Sequence, residues 1–131
     1  MRRLEMVHVY FDGASKGSPG NSAIGVFINN QGNVQTFKGS VGFLSSHEAE
    51  WKAFIKALEI CLDQGYTQIL IHSDSKIIVD SVEKRYVKNT LFKNDLVISL
   101  KLISKFEQFF LKWVPSKENK ADLLAREALH L

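Results

Sequence analysis

Residues 9–27 read VYFDGASKGSPGNSAIGVF. An apolar strand carries an acid, Asp12, to its end. A turn rich in Gly, Ser and Pro follows, and a second apolar run then begins. Val7, Val9 and Phe11 alternate with His8, Tyr10 and Asp12, the period of a strand covered in part on both faces. Residues 13–21 are expected to form the loop and residues 22–29 a second strand. Asn30-Gln31-Gly32-Asn33 turns the chain, and residues 34–41 return as a third strand. The opening is therefore an antiparallel meander, with Asp12 beside its first turn.

A helix comes next, and its start is legible. Ser45 and Glu48 have the S-x-x-E spacing of a capping box. Ala49, Ala53, Phe54, Ala57, Leu58 and Cys61 recur at helical spacing, and Gly65 closes the helix. QILIHSD is a short buried strand, and a helix–loop–strand succession implies a parallel crossover onto the meander. Ser75 to Val82 reads as a short helix, residues 83–94 as basic and partly irregular, and roughly Asp95 to Phe106 as a longer amphipathic helix. FFLKWV, 109–114, is the last strand. Asn119 is expected to cap a final helix running to about His130. The order is βββαβααβα. The fold class is α/β, one five-stranded mixed sheet with strands 1 to 3 antiparallel and helices packed on it.

Composition sets bounds. The chain has 131 residues, 45% of them hydrophobic, enough for one domain (1–131) with a core that needs no staples. The single cysteine, Cys61, excludes an internal disulfide and falls on the apolar helix face, where a buried inert thiol is expected. The start MRRLEMVHVYFDG is basic like a leader, but Glu5 and Asp12 interrupt any apolar segment. Secretion is therefore not expected, nor is a membrane span. The expectation is a cytoplasmic monomer. Net charge is +3, and Lys84, Arg85, Lys88, Lys93, Lys101 and Lys105 crowd the second half as a polyanion-binding patch would. A Rossmann reading fails, because GASKGSPG lacks G-x-G-x-x-G spacing and leads into a strand.

Four acids carry the chemistry, and each also has an ordinary explanation. Asp12-Gly13 is a common turn pair. Asp74 stands where a helix cap would stand. Asp122 falls in a first helical turn, four residues before Arg126. Glu48 and Glu50 lie about 200° apart on their helix. Glu48 shares a face with Lys52, Lys56 and Glu59 and has its capping duty. Glu50 shares the core-facing side with Phe54, Ala57, Leu58 and Cys61, where a carboxylate is costly unless something pairs it. Glu50 is therefore the functional choice.

DGASKGSPG with Asp12, SSHEAEWKAF with Glu50, HSDSKIIVDSV with Asp74 and ENKADLLAREAL with Asp122 together resemble ribonuclease H type 1. The resemblance spans nearly the whole chain, in the right order, and is to the small forms without a long basic protrusion. It implies a five-stranded RNase H-like sheet and cleavage of the RNA strand of RNA–DNA hybrids. It also implies a catalytic, metal-binding tetrad of Asp12, Glu50, Asp74 and Asp122 holding two Mg²⁺ or Mn²⁺ ions. Oxygen-only ligands suit such hard cations. The resemblance places the reading of the RNA 2′-hydroxyl at Gly13, Ser15, Ser46 and His47, with Lys16 beside them. It places phosphate contact at Lys88 and Asn89.

Three departures from the family pattern stand out. Ser46-His47 replaces the usual pair of asparagines. The loop PSKEN before the last acid has no His or Arg. Asn119 precedes Asp122 by three residues rather than four, which would turn the helix start by about 100°. These motivate two alternatives. One is a nucleic-acid-binding protein of this fold with weak or no catalysis. The other is a related nuclease acting on branched DNA or single-stranded RNA.

Overall fold

The computed structural model describes residues 6–130. Residues 1–5, with the Glu5 that argues against a leader, and Leu131 lie outside the described part. Strands β1 (Val7–Ser15), β2 (Gly20–Asn30) and β3 (Asn33–Leu44) form the meander. Helix α1 (Ser46–Asp63), strand β4 (Gln68–Ser73) and helices α2 (Lys76–Lys84) and α3 (Lys93–Ile103) follow. Strand β5 (Gln108–Trp113) and helix α4 (Asp122–Leu129) complete the expected order. The five strands lie in the order β3-β2-β1-β4-β5, with β1–β4 and β4–β5 parallel and the meander antiparallel.

The turn between β2 and β3 has Gln31 at φ 56° and Gly32 at φ 88°, the two left-handed residues of a tight hairpin whose twist matches its strands. The capping box forms as its spacing dictates. The Glu48 amide donates to the Ser45 hydroxyl at 3.2 Å, and the Ser45 amide donates to the Glu48 carboxylate at 3.0 Å. Trp51, Phe54, Ala57, Leu58 and Cys61 of α1 are fully buried, and Phe54 meets Phe11 of β1 with ring centroids 5.1 Å apart. Each large side chain so buried contributes roughly 1.5–3 kcal/mol. Burial pushes the Cys61 thiol up to about 12, which keeps it neutral and unreactive.

Three expectations about element ends are corrected. First, β1 does not stop at Asp12. It pairs with β2 through Gly13↔Ile24, Ala14↔Ala23 and Ser15↔Ser22, which leaves residues 16–19 as the loop. Gly13 is a glycine because α1 crosses it. A Cβ there would overlap the Ala49 backbone, so the residue serves close approach rather than a turn. Second, α3 starts at Lys93 and ends at Ile103, and Phe106 is buried from the turn beyond it. Third, Asn119 is not the cap of the last helix. Helix α4 begins at Asp122 after Ala121, with no side-chain cap bond.

The sheet separates two faces. Val7, Val9, Phe11, Ile69 and Ile71 lie under α1. On the other face α4 packs across β1, β2 and β3. Gly25, opposite Asp12 in the register, lets α4 lie close: a Cβ there would stand 2.7 Å from the Ala125 nitrogen.

Candidate active site

The parallel β1–β4 ladder brings the end regions of both strands to the same side of the sheet, and α1 and α4 both begin there. This is why acids 110 positions apart in sequence meet. Asp12 is the hub. It is 8% exposed, and its carboxyl is pushed up to about 9. Burial is the largest cause, followed by the charge of Asp74, a hydrogen bond with Asp122, and the charges of Asp122 and Glu50. Two carboxyls share a hydrogen bond only when one carries a proton. Asp122 thus lies close enough to Asp12 for the two carboxyls to act on each other.

Asp74 is raised by burial and by the charge of Asp122, against the lowering pull of hydrogen bonds from Asn119 and Ser116. Its ordinary explanation is removed, because Ser75 caps α2 by accepting from the Ile78 amide at 3.3 Å. Asp74 is left free to face the other acids. Its position is fixed by two side chains that sequence reasoning missed. Asn119 Nδ2 donates to Asp74 Oδ2 at 3.1 Å and to the Phe11 carbonyl at 2.9 Å, while Asn119 Oδ1 accepts from the Ala121 amide at 3.0 Å. Trp113 Nε1 donates to the Asp74 carbonyl at 3.2 Å. Asn119 was visible in sequence only as a cap; its true partners follow from the register.

Glu50 is raised by burial first, opposed by the Ser75 hydroxyl and by His47, and raised again by Asp74. His47 Nδ1 stands 3.8 Å from Glu50 Oε2. Glu48 takes the structural role, and its hydrogen bonds with Ser45 hold its carboxyl below the usual range. Asp122 makes the expected pair with Arg126, at 2.8 Å, yet still reaches Asp12. The shortened Asn119–Asp122 spacing therefore does not turn Asp122 away. The Asp122 amide donates to the Asn119 carbonyl at 3.1 Å, so a tight backbone turn spans the three residues directly.

The four acids thus form one electrostatic unit linked through Asp12. As placed, and among the described residues, no group of three or more His, Cys, Asp or Glu side chains is gathered closely enough to hold a metal ion. An open set of this kind fits a hard cation that keeps several of its waters. The donors are all carboxylate oxygens, and the burial and mutual repulsion that raise Asp12, Asp74 and Glu50 are what a divalent cation offsets.

The substrate-side residues divide. His47, Lys88 and Asn89 line one groove of about 770 Å³ with Ser81, Lys84 and Phe92. Ser46 is exposed at the start of α1, and Lys16 is exposed in the β1–β2 loop. Gly13 is closed under α1. The Ser15 hydroxyl is occupied within the fold, reaching the Leu44 carbonyl at 3.0 Å. Asn89 Oδ1 accepts from the Leu91 amide at 3.0 Å, which commits half of that side chain to the local turn. The basic residues do not make one patch. Lys84 and Lys88 flank the groove, whereas Lys105 lies against Lys56 and Glu59 of α1.

Comparison with known proteins gives a consistent result. Residues 10–128 match the family model described as reverse transcriptase-like. The chain is 39% identical over 127 residues to a putative hydrolase, EbsB, of Enterococcus faecalis, covering 95% of this chain and 94% of that one. It is 34% identical over 127 residues to ribonuclease HI of Halobacterium salinarum, covering 94% of this chain and 64% of the relative, so it spans less than two thirds of that protein. Among solved structures, RNase H1 of Halobacterium salinarum superposes with a TM-score of 0.90 at 32% identity, covering 96% and 98% of the two chains. LC11-RNase H1, solved in complex with an RNA/DNA hybrid, gives 0.86 at 26% identity, covering 95% and 96%.

Proposed function

Since the chain belongs to the reverse transcriptase-like family of RNase H-fold domains, we propose that it is a ribonuclease H that hydrolyses the RNA strand of RNA–DNA hybrids. The observation that carries this reading is the convergence on buried Asp12 of three acids delivered from α1, β4 and α4, which with burial push its carboxyl up. A structural acid would have been given a cationic partner. This one is surrounded by its own kind.

Asp12, Glu50, Asp74 and Asp122 would hold two Mg²⁺ or Mn²⁺ ions. When bound, these supply a water activated for attack on the phosphorus and stabilisation of the leaving 3′-oxygen. Asn119 fixes the Asp74 oxygen through a bond that also anchors it to β1. His47, beside Glu50 and in edge contact with Phe92, stands where the groove meets the acids. It would donate to or accept from a ribose 2′-hydroxyl, the group that separates RNA from DNA. Lys88 and Lys84 would take the phosphates of the strand lying in the groove, without reading its sequence.

The test is cleavage of an end-labelled hybrid in Mg²⁺ or Mn²⁺, with Asp12→Asn alongside. RNA-strand cutting that the substitution abolishes is expected. A hybrid left intact in both metals sinks the reading. A second reading, hybrid binding with little cutting, draws on the Asp122–Arg126 pair, which already engages one oxygen of the fourth acid. It predicts that Arg126→Ala raises cleavage, whereas the first predicts little change.

A further inference from the structure

Among the described residues, the sheet face that carries α4 is not covered to its full width. The register places two rows of side chains there, beyond the reach of that helix. One row runs Val34, Asn29, His8, Leu70, Phe110 and the next Thr36, Phe27, Tyr10, His72, Lys112. Val34 is 48% and Phe110 50% exposed, and His8 is exposed as well. Neither row contains an acid.

The rings on this surface are ordered. His72 stacks on Tyr10 with centroids 4.3 Å apart and planes 10° apart, and on His8 at 5.6 Å and 20°. His8 Nδ1 and His72 Nε2 share a hydrogen bond at 3.3 Å. Lys120 Nζ caps the other side of the column, 5.5 Å from the Tyr10 centroid and 5.6 Å from that of Phe27. His72 is buried in the middle of this column. The free ring surface is therefore on His8 and Phe110, flanked by ammonium groups.

Open aromatic faces between lysines, in two strand rows that contain no acid, match the chemistry of unpaired bases on a phosphate backbone. The place matters too. Tyr10 precedes Asp12 by two residues of one strand, roughly 7 Å, and Lys120 adjoins Asn119, which holds Asp74.

We propose that the uncovered face of β1, β4 and β5, centred on His8, Phe110, Lys112 and Lys120, is a binding surface for single-stranded nucleic acid, distinct from the groove beside α1. The bases stack on His8 and Phe110, and the phosphates lie against Lys112 and Lys120. This binding does not depend on hybrid cleavage: a chain that never cuts a hybrid still binds the single strand.

The experiment measures fluorescence anisotropy of labelled oligouridylate and oligothymidylate, each of about a dozen nucleotides, with the intact protein in EDTA. Both probes are expected to bind, more weakly as salt rises. Phe110→Ser with Lys112→Glu should weaken both by on the order of tenfold or more. Lys120→Glu should do so separately, with circular dichroism unchanged in each. Three results overturn the inference. One is no binding by the wild type. Another is equal binding by the variants, which assigns the oligonucleotide to the groove. The third is a concentration-dependent dimer that the double variant abolishes, which makes the face a protein interface.

Discussion

Replacing the hub acid should make the metal-free protein more stable while destroying its proposed activity. Asp12 has a folded pKa of about 9 against 3.8 for the free group. The sign follows from proton linkage. A group whose folded pKa is raised gives stability that is fully present below its unfolded pKa and lost as pH rises toward the folded one. Stability from Asp12 is thus intact near pH 4 and drains away toward pH 9. At pH 7 the full interval from 3.8 corresponds to about 4 kcal/mol, at about 1.4 kcal/mol per pH unit. The proton is shared with Asp122, and water reaches Asp74 and Asp122. The realised cost is therefore about 1–3 kcal/mol. Asp12→Asn keeps the shape and a donor for Asp122 and removes that cost. Thermal unfolding in EDTA should show the variant melting about 5–10 °C higher at pH 8, with a smaller gain at pH 5. Adding Mg²⁺ should raise the wild type and not the variant, closing the gap. A variant no more stable than wild type at pH 8, or a gain that does not change with pH, would refute the reasoning.

Two further substitutions probe the frame around the acids. Asn119→Ala leaves the Phe11 carbonyl and the Ala121 amide without their partner and frees Asp74; urea unfolding should show a loss of about 2–3 kcal/mol, and kcat on a hybrid should fall with KM little changed. Gly13→Ala drives a methyl into the α1 backbone at Ala49 and Glu50; a loss of about 1–3 kcal/mol is expected in the same measurement, with weaker metal binding by calorimetry because Glu50 is displaced.

The element order and the separate placing of Glu48 and Glu50 were legible because both follow from periods that local sequence displays. A capping box explains one glutamate, and a core-facing position leaves the other unexplained. Gly13 and Asn119 were misread for a common reason. Each has a familiar local meaning, the turn for one and the cap for the other. In the fold each answers to a distant partner: α1 crossing β1, and a carbonyl and a carboxylate 108 and 45 positions away. No window of the chain contains those partners. They become visible only once the parallel β1–β4 register fixes which strand ends coincide. The same register decides the fate of the shortened loop before Asp122. Counted on an ideal helix from Asn119, one missing residue rotates the acid away; but Asn119 is not the first residue of that helix. Its side chain is anchored to β1 and Asp74, its carbonyl accepts from the Asp122 amide at 3.1 Å across a tight turn, and α4 begins at Asp122. A departure that looks damaging when measured along the chain is thus compatible with Asp122 acting on Asp12, because the acids are positioned from the sheet and not from the loop.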